Sequence, residues 1–264
     1  MGGTVRVERD PADERIGWLV FDHPERRNAI SVEMWRAIPD ALAALDADEA
    51  VRVVVMRGAG EVAFVAGADI SEFGAQRSGS GGAAGYDAES GRAFGALVNC
   101  AKPLVAMIHG FCIGGGAAIA LTADMRYAAD DAMFAIPAAR LGLGYHMSGL
   151  DALVRVVGPS RAKEIFFTAR RFSAAEANAI GLVNGVYPKA ELEARVRETL
   201  EQIAANAPLT IRSAKKVVHE LARDPEQRDI QGVNASIATC FESEDYQEGV
   251  KAFLEKRAPR FRGR

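Results

Sequence analysis

Residues 109–124, which read HGFCIGGGAAIALTAD, are the segment whose composition points most clearly to a chemical role. Three glycines, Gly114 to Gly116, follow an apolar run and precede a short segment that is apolar on every side. A helix N-terminus leaves N–H groups without intrahelical partners and carries partial positive charge, and glycine lets a ligand approach closely. The sequence therefore predicts a backbone N–H cradle for an oxyanion. The alternative is a tight strand-to-helix turn that binds nothing.

Nucleotide-binding motifs do not account for these glycines. No Lys-Ser or Lys-Thr pair follows them, which excludes a Walker A loop, and the chain has no GxGxxG pattern. A second turn of small residues, AGAD, runs from Ala66 to Asp69. If the Ala68 N–H points into the same space as the Gly115 N–H, the two donors bracket one carbonyl oxygen.

The composition narrows the class of protein. The chain has 264 residues and a formal net charge of −3, which argues against nucleic acid as a partner. Its three cysteines, Cys100, Cys112 and Cys240, are odd in number and widely spaced, so reduced thiols fit better than disulfides or a metal site. No apolar run reaches membrane-spanning length, and the N-terminus lacks the apolar segment of a signal peptide. We expect a cytoplasmic protein with no membrane partner.

The elements that must position the glycine turn follow from hydrophobic patterning. Residues 103–108 form a continuous apolar run of strand length before Gly110, and residues 117–121 have the character of an enclosed helix. Elsewhere, strand, strand and helix recur in that order, which favours a stacked spiral. Further strands are predicted at 16–22, 51–56, 62–65, 125–127, 132–136 and 185–187, and helices at 31–46, 160–168 and 174–179.

Three other segments have distinct compositions. Residues 74–91 are rich in Gly, Ser and Ala, which predicts a mobile connection serving as a lid over the site or, alternatively, a disordered loop. Residues 141–149 (LGLGYHMSG) are predicted to form a loop. Residues 191–256 contain no strand-like run and are predicted to form a helical extension that packs on a neighbouring subunit.

The chain resembles the crotonase, or enoyl-CoA hydratase/isomerase, superfamily along nearly its whole length. The resemblance rests on FDHPERRNAIS, AFVAGADISEF, KPLVAMIHGFCIGGG, TADMRYAADDAMFAIPAARLGLG, AAEANAIGLVNGVYP and SEDYQEGVKAFLEKR, which occur in the family's order and spacing. It implies an α/β fold, a crotonase-like spiral of ββα turns over residues 1–190 followed by an all-helical trimerisation region over 191–264. It also implies a homotrimer or a dimer of trimers.

The resemblance further implies the ligand and the residues that bind it. The substrate is an acyl-CoA thioester, with coenzyme A present only as part of the substrate and no other cofactor or metal. The thioester oxygen is held by the N–H groups of Ala68 and Gly115. Lys256 is expected to reach the nucleotide of an adjacent subunit. The other substrate-binding candidates are Arg26, Arg27, Ala29, Ala66, Asp69, Ile70, Ile113 and Gly114.

The sequence departs from the family at the positions that carry acid–base chemistry. Hydratases use two glutamates, one in the helix after the glycines and one after the proline of a later strand, and single-glutamate isomerases retain the later one. The corresponding residues here are Ala118 and Ala138. Because alanine can neither hold a water molecule nor move a proton, the usual acid–base pair is absent.

Tyr145 and His146 are expected to take over the acid–base function of the two missing glutamates. Tyr145 lies where methylmalonyl-CoA decarboxylase-like members carry an active-site tyrosine, and His146 where dienoyl-CoA isomerases and an aryl-CoA dehalogenase carry a catalytic aspartate. The alternative is that both side chains are structural. The resemblance thus predicts an acyl-CoA enzyme, catalogued with enoyl-CoA hydratases, that stabilises a thioester enolate. A malonyl-type decarboxylase and a catalytically silent acyl-CoA-binding protein remain open, as does the choice between hydration, isomerisation and decarboxylation.

Overall fold

Two sheets form the centre of the fold. The computed structural model describes residues 2–69, 79–145 and 147–264, without the side chains of 79–84 and 148. A six-stranded sheet has the order β1-β2-β3-β5-β7-β10, and a four-stranded sheet has the order β4-β6-β8-β9. The strands are β1 Thr4–Arg9, β2 Ile16–Asp22, β3 Val53–Gly58, β4 Ala63–Val65, β5 Leu104–Ile108, β6 Phe111–Ile113, β7 Met125–Ala129, β8 Met133–Ala135, β9 Phe172–Ser173 and β10 Gly185–Tyr187.

From β3 to β8, consecutive strands alternate between the two sheets. β3, β5 and β7 pair in parallel in the larger sheet, and β4, β6 and β8 pair in parallel in the smaller one. Each strand–strand–helix unit therefore contributes one strand to each sheet, which confirms the predicted spiral of ββα turns. The helices are α1 Val32–Ala47, α2 Gly79–Val98, α3 Gly115–Thr122, α4 Ala138–Leu141, α5 Met147–Thr168, α6 Ala174–Ala179, α7 Leu192–Ala205, α8 Pro208–Leu221, α9 Ile230–Glu242 and α10 Glu244–Leu254.

Both faces of the larger sheet are buried at its inner strands, whereas the edge strand β1 is largely exposed. Val54 and Met56 of β3 face the main core, whereas Val53 and Val55 face a second apolar cluster, because successive strand residues point to opposite sides. Helix α7 supplies Leu192, Val196 and Leu200 to this second cluster. A domain boundary between residues 190 and 191 stays a prediction.

Several predicted elements are confirmed with their capping signals. Ser31 caps α1, and its Oγ accepts a hydrogen bond from the Met34 amide at 3.2 Å. Ser173 and Glu176 form a reciprocal capping box at α6. The C-terminal region is helical, as predicted, through α7 to α10. None of the helices in the described ranges is long and apolar enough to cross a membrane.

The prediction of a loop over 74–91 is wrong for residues 79–91, which belong to helix α2; residues 74–78 lie outside the described part of the chain. Gly and Ser have low helix propensity, but tertiary packing overrides it here. The α2 side chains of Tyr86, Ala93 and Leu97 are buried in the main core with α1. This helix is therefore stabilised by its apolar face and not by its composition.

The loop predicted at 141–149 is shorter in the structure. Helix α4 ends at Leu141 and α5 begins at Met147, so helix bounds the loop on both sides. The helix predicted at 160–168 is the second half of α5, which bends at Gly158 (φ 76°) before Pro159. The patterning does not predict strands β1, β6 and β9, because TVRVER contains only two apolar residues and FCI and FS are too short to show a period.

Candidate active site

The AGAD turn and the glycine turn are each fixed by backbone hydrogen bonds. The Ile30 amide donates to the Gly67 carbonyl at 2.9 Å, and the Asp69 amide donates to the Ile30 carbonyl at 2.9 Å. These bonds flank Ala68, so its own N–H points away from Ile30. On the other side, Gly114 adopts φ 53° and its amide donates to the Ala135 carbonyl at 2.8 Å. Only glycine adopts this conformation readily, and it turns the chain into α3.

The structure brings Ala68 and Gly115 together. A β-carbon added to Gly115 would lie 3.6 Å from the Ala68 amide nitrogen and 3.7 Å from the Gly67 carbonyl carbon. Neither the Ala68 nor the Gly115 amide donates to a protein acceptor within the described ranges. Both residues are half-buried. Two adjacent backbone donors without protein partners can bind one oxygen that develops negative charge.

Close packing between α3 and β4 sets this spacing. A β-carbon on Gly116 would lie 2.1 Å from the Val65 carbonyl oxygen, a separation that real β-carbons do not show. The first turn of α3 therefore contacts the end of β4 through bare backbone. Since Ala66 to Asp69 follow β4 directly, the same contact sets the distance between the two amides.

Ala118 and Ala138 border the glycine turn. The Ala118 amide donates to the Gly114 carbonyl at 3.0 Å, and Ala138 begins α4 immediately after Pro137. A β-carbon on Gly114 would lie 4.0 Å from Cδ of Pro137. Ala138 is buried and Ala118 is half-buried. The two positions thus carry only methyl groups where they border the glycine turn.

Tyr145 lies at the edge of the main core. Its half-buried ring meets Phe166 edge-on, with ring centroids 4.9 Å apart and an interplanar angle of 80°. Its Cδ1 also lies 3.3 Å from the position of a β-carbon on Gly149. His146 and Ile70 lie outside the described residues. Roles for Tyr145 and His146 in catalysis therefore stay predictions.

The candidates for coenzyme A contact form one loop system around Asn28. The Asn28 side chain donates to the Ala59 and Ala63 carbonyls at 3.0 and 2.8 Å, which holds the loop before α1 against β4. The Ala66 amide donates to the Arg27 carbonyl at 3.0 Å. The structure therefore brings Arg27 and Ala66 together, with Ala29 buried nearby. Arg26 and Arg27 are exposed, and the Arg27 guanidinium lies 5.0 Å from the Phe111 ring centroid.

The remaining candidates are distributed between the site and the C-terminus. Ile113 and Gly114 lead into α3 and, like Asp69, are half-buried. Lys256 follows α10 and is exposed. No hydrogen bond or ion pair recorded for the described residues joins Lys256 to the glycine turn. A role in an adjacent subunit's site stays a prediction.

Arg126 supports α3 from its C-terminal end and was missed in the sequence. It is buried, and it donates to the Ala123 carbonyl at 2.6 Å and the Leu182 carbonyl at 2.8 Å. A longer contact of 3.5 Å reaches the Ala120 carbonyl. Burial lowers the pKa of this guanidinium, but a cation at a helix C-terminus complements the helix dipole. The only sequence signal was one charged residue inside the strand-like run MRYAA.

The buried thiols of Cys100 and Cys112 are poorly reactive. Burial raises the pKa of the Cys112 thiol on β6, so this cysteine stays protonated and unreactive. Burial also raises the pKa of Cys100, to about 11. Among the residues that the structure describes, no group of three or more His, Cys, Asp or Glu side chains is placed to hold a metal ion.

Comparisons with known proteins agree with this architecture. The enoyl-CoA hydratase/isomerase family model matches residues 12–264. The crotonyl-CoA hydratase of Syntrophomonas wolfei is 33% identical over 249 residues, covering 94% of this chain and 95% of that protein. The peroxisomal Δ(3,5)-Δ(2,4)-dienoyl-CoA isomerase of Arabidopsis thaliana is 33% identical over 269 residues, covering 98% and 96%.

Solved structures extend the comparison to the fold. An enoyl-CoA hydratase/carnithine racemase from Magnetospirillum magneticum superposes with a TM-score of 0.93 at 32% identity, covering 100% of this chain and 97% of that one. The family model and this superposition both include the glycine turn and the C-terminal helices. The chain belongs to the enoyl-CoA hydratase/isomerase family, whose members act on acyl-CoA thioesters.

Proposed function

We propose that this chain binds an acyl-CoA thioester with the thioester oxygen between the Ala68 and Gly115 amides and stabilises the enolate that forms there. The 3.6 Å approach of the Gly115 β-position to the Ala68 nitrogen supports this most directly. Backbone amides suit the task because they donate hydrogen bonds without titrating, and they are held in place before the reaction begins. The acyl-CoA substrates of the family fit a site of this kind.

Hydration by two glutamates is not available to this chain. Addition of water requires a group that activates water and a group that delivers a proton to carbon, and Ala118 and Ala138 supply neither. We propose that Tyr145 and His146 perform the acid–base steps of the reaction in place of the missing glutamates. Neutral imidazole and imidazolium are both accessible near neutral pH, so His146 suits proton transfer.

Decarboxylation of a malonyl-type thioester is the second candidate, and the two alanines favour it. Loss of carbon dioxide breaks one C–C bond, and its electron pair forms the enolate directly. Stabilisation of that enolate by the two amides therefore provides most of the decrease in the activation barrier. One donor then suffices to orient the carboxylate, a role that suits Tyr145 because its hydroxyl donates while neutral. His146 would return the proton to carbon.

We also propose a cytoplasmic homotrimer or dimer of trimers. Support for the assembly comes from a groove of about 760 Å³ on the C-terminal helices. Its lining includes Phe241, Phe253 and Leu254. These three side chains are exposed in the single chain. Exposed apolar surface of this extent is typical of a protein–protein interface. A neighbouring subunit on this surface would also be the one approached by Lys256.

The test is turnover of crotonyl-CoA and methylmalonyl-CoA by the wild type, Tyr145→Phe, His146→Ala and the double variant Ala118→Glu/Ala138→Glu. We expect very slow crotonyl-CoA hydration by the wild type and faster hydration by the double variant, which restores both carboxyl groups. Robust activity of the wild type on either substrate should fall in Tyr145→Phe or His146→Ala.

Two outcomes would change the proposal. Fast crotonyl-CoA hydration that survives both single substitutions would show that the catalytic groups lie elsewhere. Tight binding of both thioesters without turnover of either would identify the chain as a silent acyl-CoA-binding member of the family.

A further inference from the structure

Trp35 of α1 lies next to the glycine turn. Its Cζ2 atom is 3.7 Å from the position of a β-carbon on Gly115. The side chain is fully enclosed, with 1% of its surface exposed. The indole thus lies beside the residue whose amide forms half of the proposed oxyanion hole, on the same side as the Ala68 amide, with room for about one methyl group between them. Any displacement of this ring would enlarge the space beside Gly115.

The indole is itself fixed by helix α2. Its Nε1 donates a hydrogen bond to the Tyr86 hydroxyl at 2.8 Å, and its ring packs against Phe94 with centroids 5.1 Å apart. Tyr86 is buried, so this hydrogen bond is shielded from water. An additional ion pair between Arg36 and Glu89, at 3.1 Å, joins the same two helices at the surface. The orientation of Trp35 therefore depends on α2.

We propose that Trp35 is a positioning residue for the Gly115 amide and that Tyr86 acts through Trp35 by fixing the indole plane. This inference rests on the proposed function, in which the Gly115 amide binds the thioester oxygen. Glycine turns have wide conformational freedom, so an amide at such a turn needs neighbouring packing to keep its orientation. Misplacing a donor by about 1 Å is enough to remove much of its effect on the reacting oxygen.

The chain supplies a matched control in its second tryptophan. Trp18 is also buried, and its Nε1 donates to the Asp10 carboxylate at 3.0 Å. It belongs to the second apolar cluster, on the opposite face of the larger sheet from Gly115. Trp18→Phe therefore also removes an indole and a buried hydrogen bond, in this case one to a carboxylate, without touching the glycine turn.

The experiment measures the carbonyl stretching frequency of bound butyryl-CoA by isotope-edited Raman difference spectroscopy, with ¹³C at the thioester carbonyl. Hydrogen bonds to the oxygen weaken the C=O bond, so the wild type should lower this frequency relative to free butyryl-CoA. In Trp35→Phe and Tyr86→Phe the frequency should move back towards the free value. In Trp18→Phe the carbonyl frequency should match that of the wild type, even if this substitution lowers the midpoint of thermal unfolding as much as Trp35→Phe does.

The double variant Trp35→Phe/Tyr86→Phe separates a direct role for Tyr86 from one through Trp35. Because Tyr86 acts through the indole, the double variant should show the same frequency as Trp35→Phe alone. A further upward shift in the double variant would contradict that route. Should Trp35→Phe fail to fold, Tyr86→Phe still carries the test, since it retains the ring and removes only the hydroxyl.

The outcomes distinguish this inference from the proposed function. An unshifted carbonyl in the bound wild type would overturn the oxyanion hole and this inference with it. A wild-type shift that Trp35→Phe and Tyr86→Phe both retain would overturn the positioning role alone, and it would leave the proposed function intact.

Discussion

The backbone of Gly116 contacts the Val65 carbonyl so closely that a β-carbon on Gly116 would lie 2.1 Å from the oxygen. The preceding residue, Gly115, is less crowded, because a β-carbon there would have no neighbouring atom nearer than 3.6 Å. Two adjacent glycines thus have separate roles. Gly116 allows α3 to approach β4, whereas Gly115 supplies an amide donor to the site.

Gly116→Ala is expected to destabilise the fold by forcing α3 away from β4. Overpacking of this kind costs about 1–3 kcal/mol or more, which for a chain of this size lowers the midpoint of thermal unfolding by several degrees. Gly95→Ala is the matched control, since it lies in helix α2 and a β-carbon there meets nothing within 4 Å. That variant should be as stable as the wild type or more so. Equal midpoints for the two variants would contradict the assigned contact.

Gly115→Pro is expected to reduce turnover by about 10²–10³-fold, because it removes one of the two donors. Proline is compatible with the first position of a helix, so the fold should persist. Gly115→Ala retains the N–H and has ordinary contact distances, so its loss should be much smaller. Near-normal turnover by a folded Gly115→Pro protein would refute the role of this amide. Steady-state kinetics and circular dichroism measure both quantities.

His109 should make the free energy of unfolding depend on pH. Burial lowers the pKa of its imidazole below 6.5, so the unfolded chain binds the proton more readily than the folded one. The stability contribution is therefore complete above pH 6.5 and is lost as the pH falls towards the folded pKa. Within the described ranges, His109 Nε2 is buried without a hydrogen-bond partner. The charged groups that act on it are Lys189, Asp131, Arg57 and Glu61.

Denaturant unfolding between pH 7.5 and 5 tests this dependence. His109→Gln, which does not titrate, should weaken the loss of stability at the acid end, whereas the exposed His219→Gln should follow the wild type. An unchanged pH profile in His109→Gln would show that the imidazole does not contribute.

Phe253→Glu should prevent assembly. The side chain is 83% exposed in the single chain and lines the C-terminal groove, so a carboxylate there would be buried at a subunit interface at high cost. Light scattering at micromolar concentration should give a trimer or hexamer for the wild type and a smaller species for the variant. Phe167→Glu, at an exposed position of α5 outside the groove, serves as the control. A monomeric wild type would contradict the proposed assembly.

The sequence predicts most of the fold because its local signals agree with each other. Apolar runs mark the buried strands of the larger sheet, and Ser31 and Ser173 mark helix starts by their capping chemistry. Helix α2 is different, because Gly and Ser are poor helix formers and its packing against α1 stabilises it. Local composition carries no information about that burial.

In the candidate site, too, the sequence predicts the local motifs but not the contacts between them. The glycines and the AGAD turn are visible as motifs, but their proximity depends on the pairing of Ile30 with residues 67–69 and on the contact of Gly116 with Val65. The link between Trp35 and Tyr86 joins residues 51 positions apart. Trp35 has the helical spacing of an ordinary core residue, so nothing in the sequence distinguishes it from its neighbours.

The most direct test of the central claim is a crystal structure of the wild type with bound butyryl-CoA. The account predicts that the thioester oxygen lies about 2.7–3.1 Å from both the Ala68 and the Gly115 amide nitrogens. A thioester that binds with its oxygen away from both amides would contradict the account.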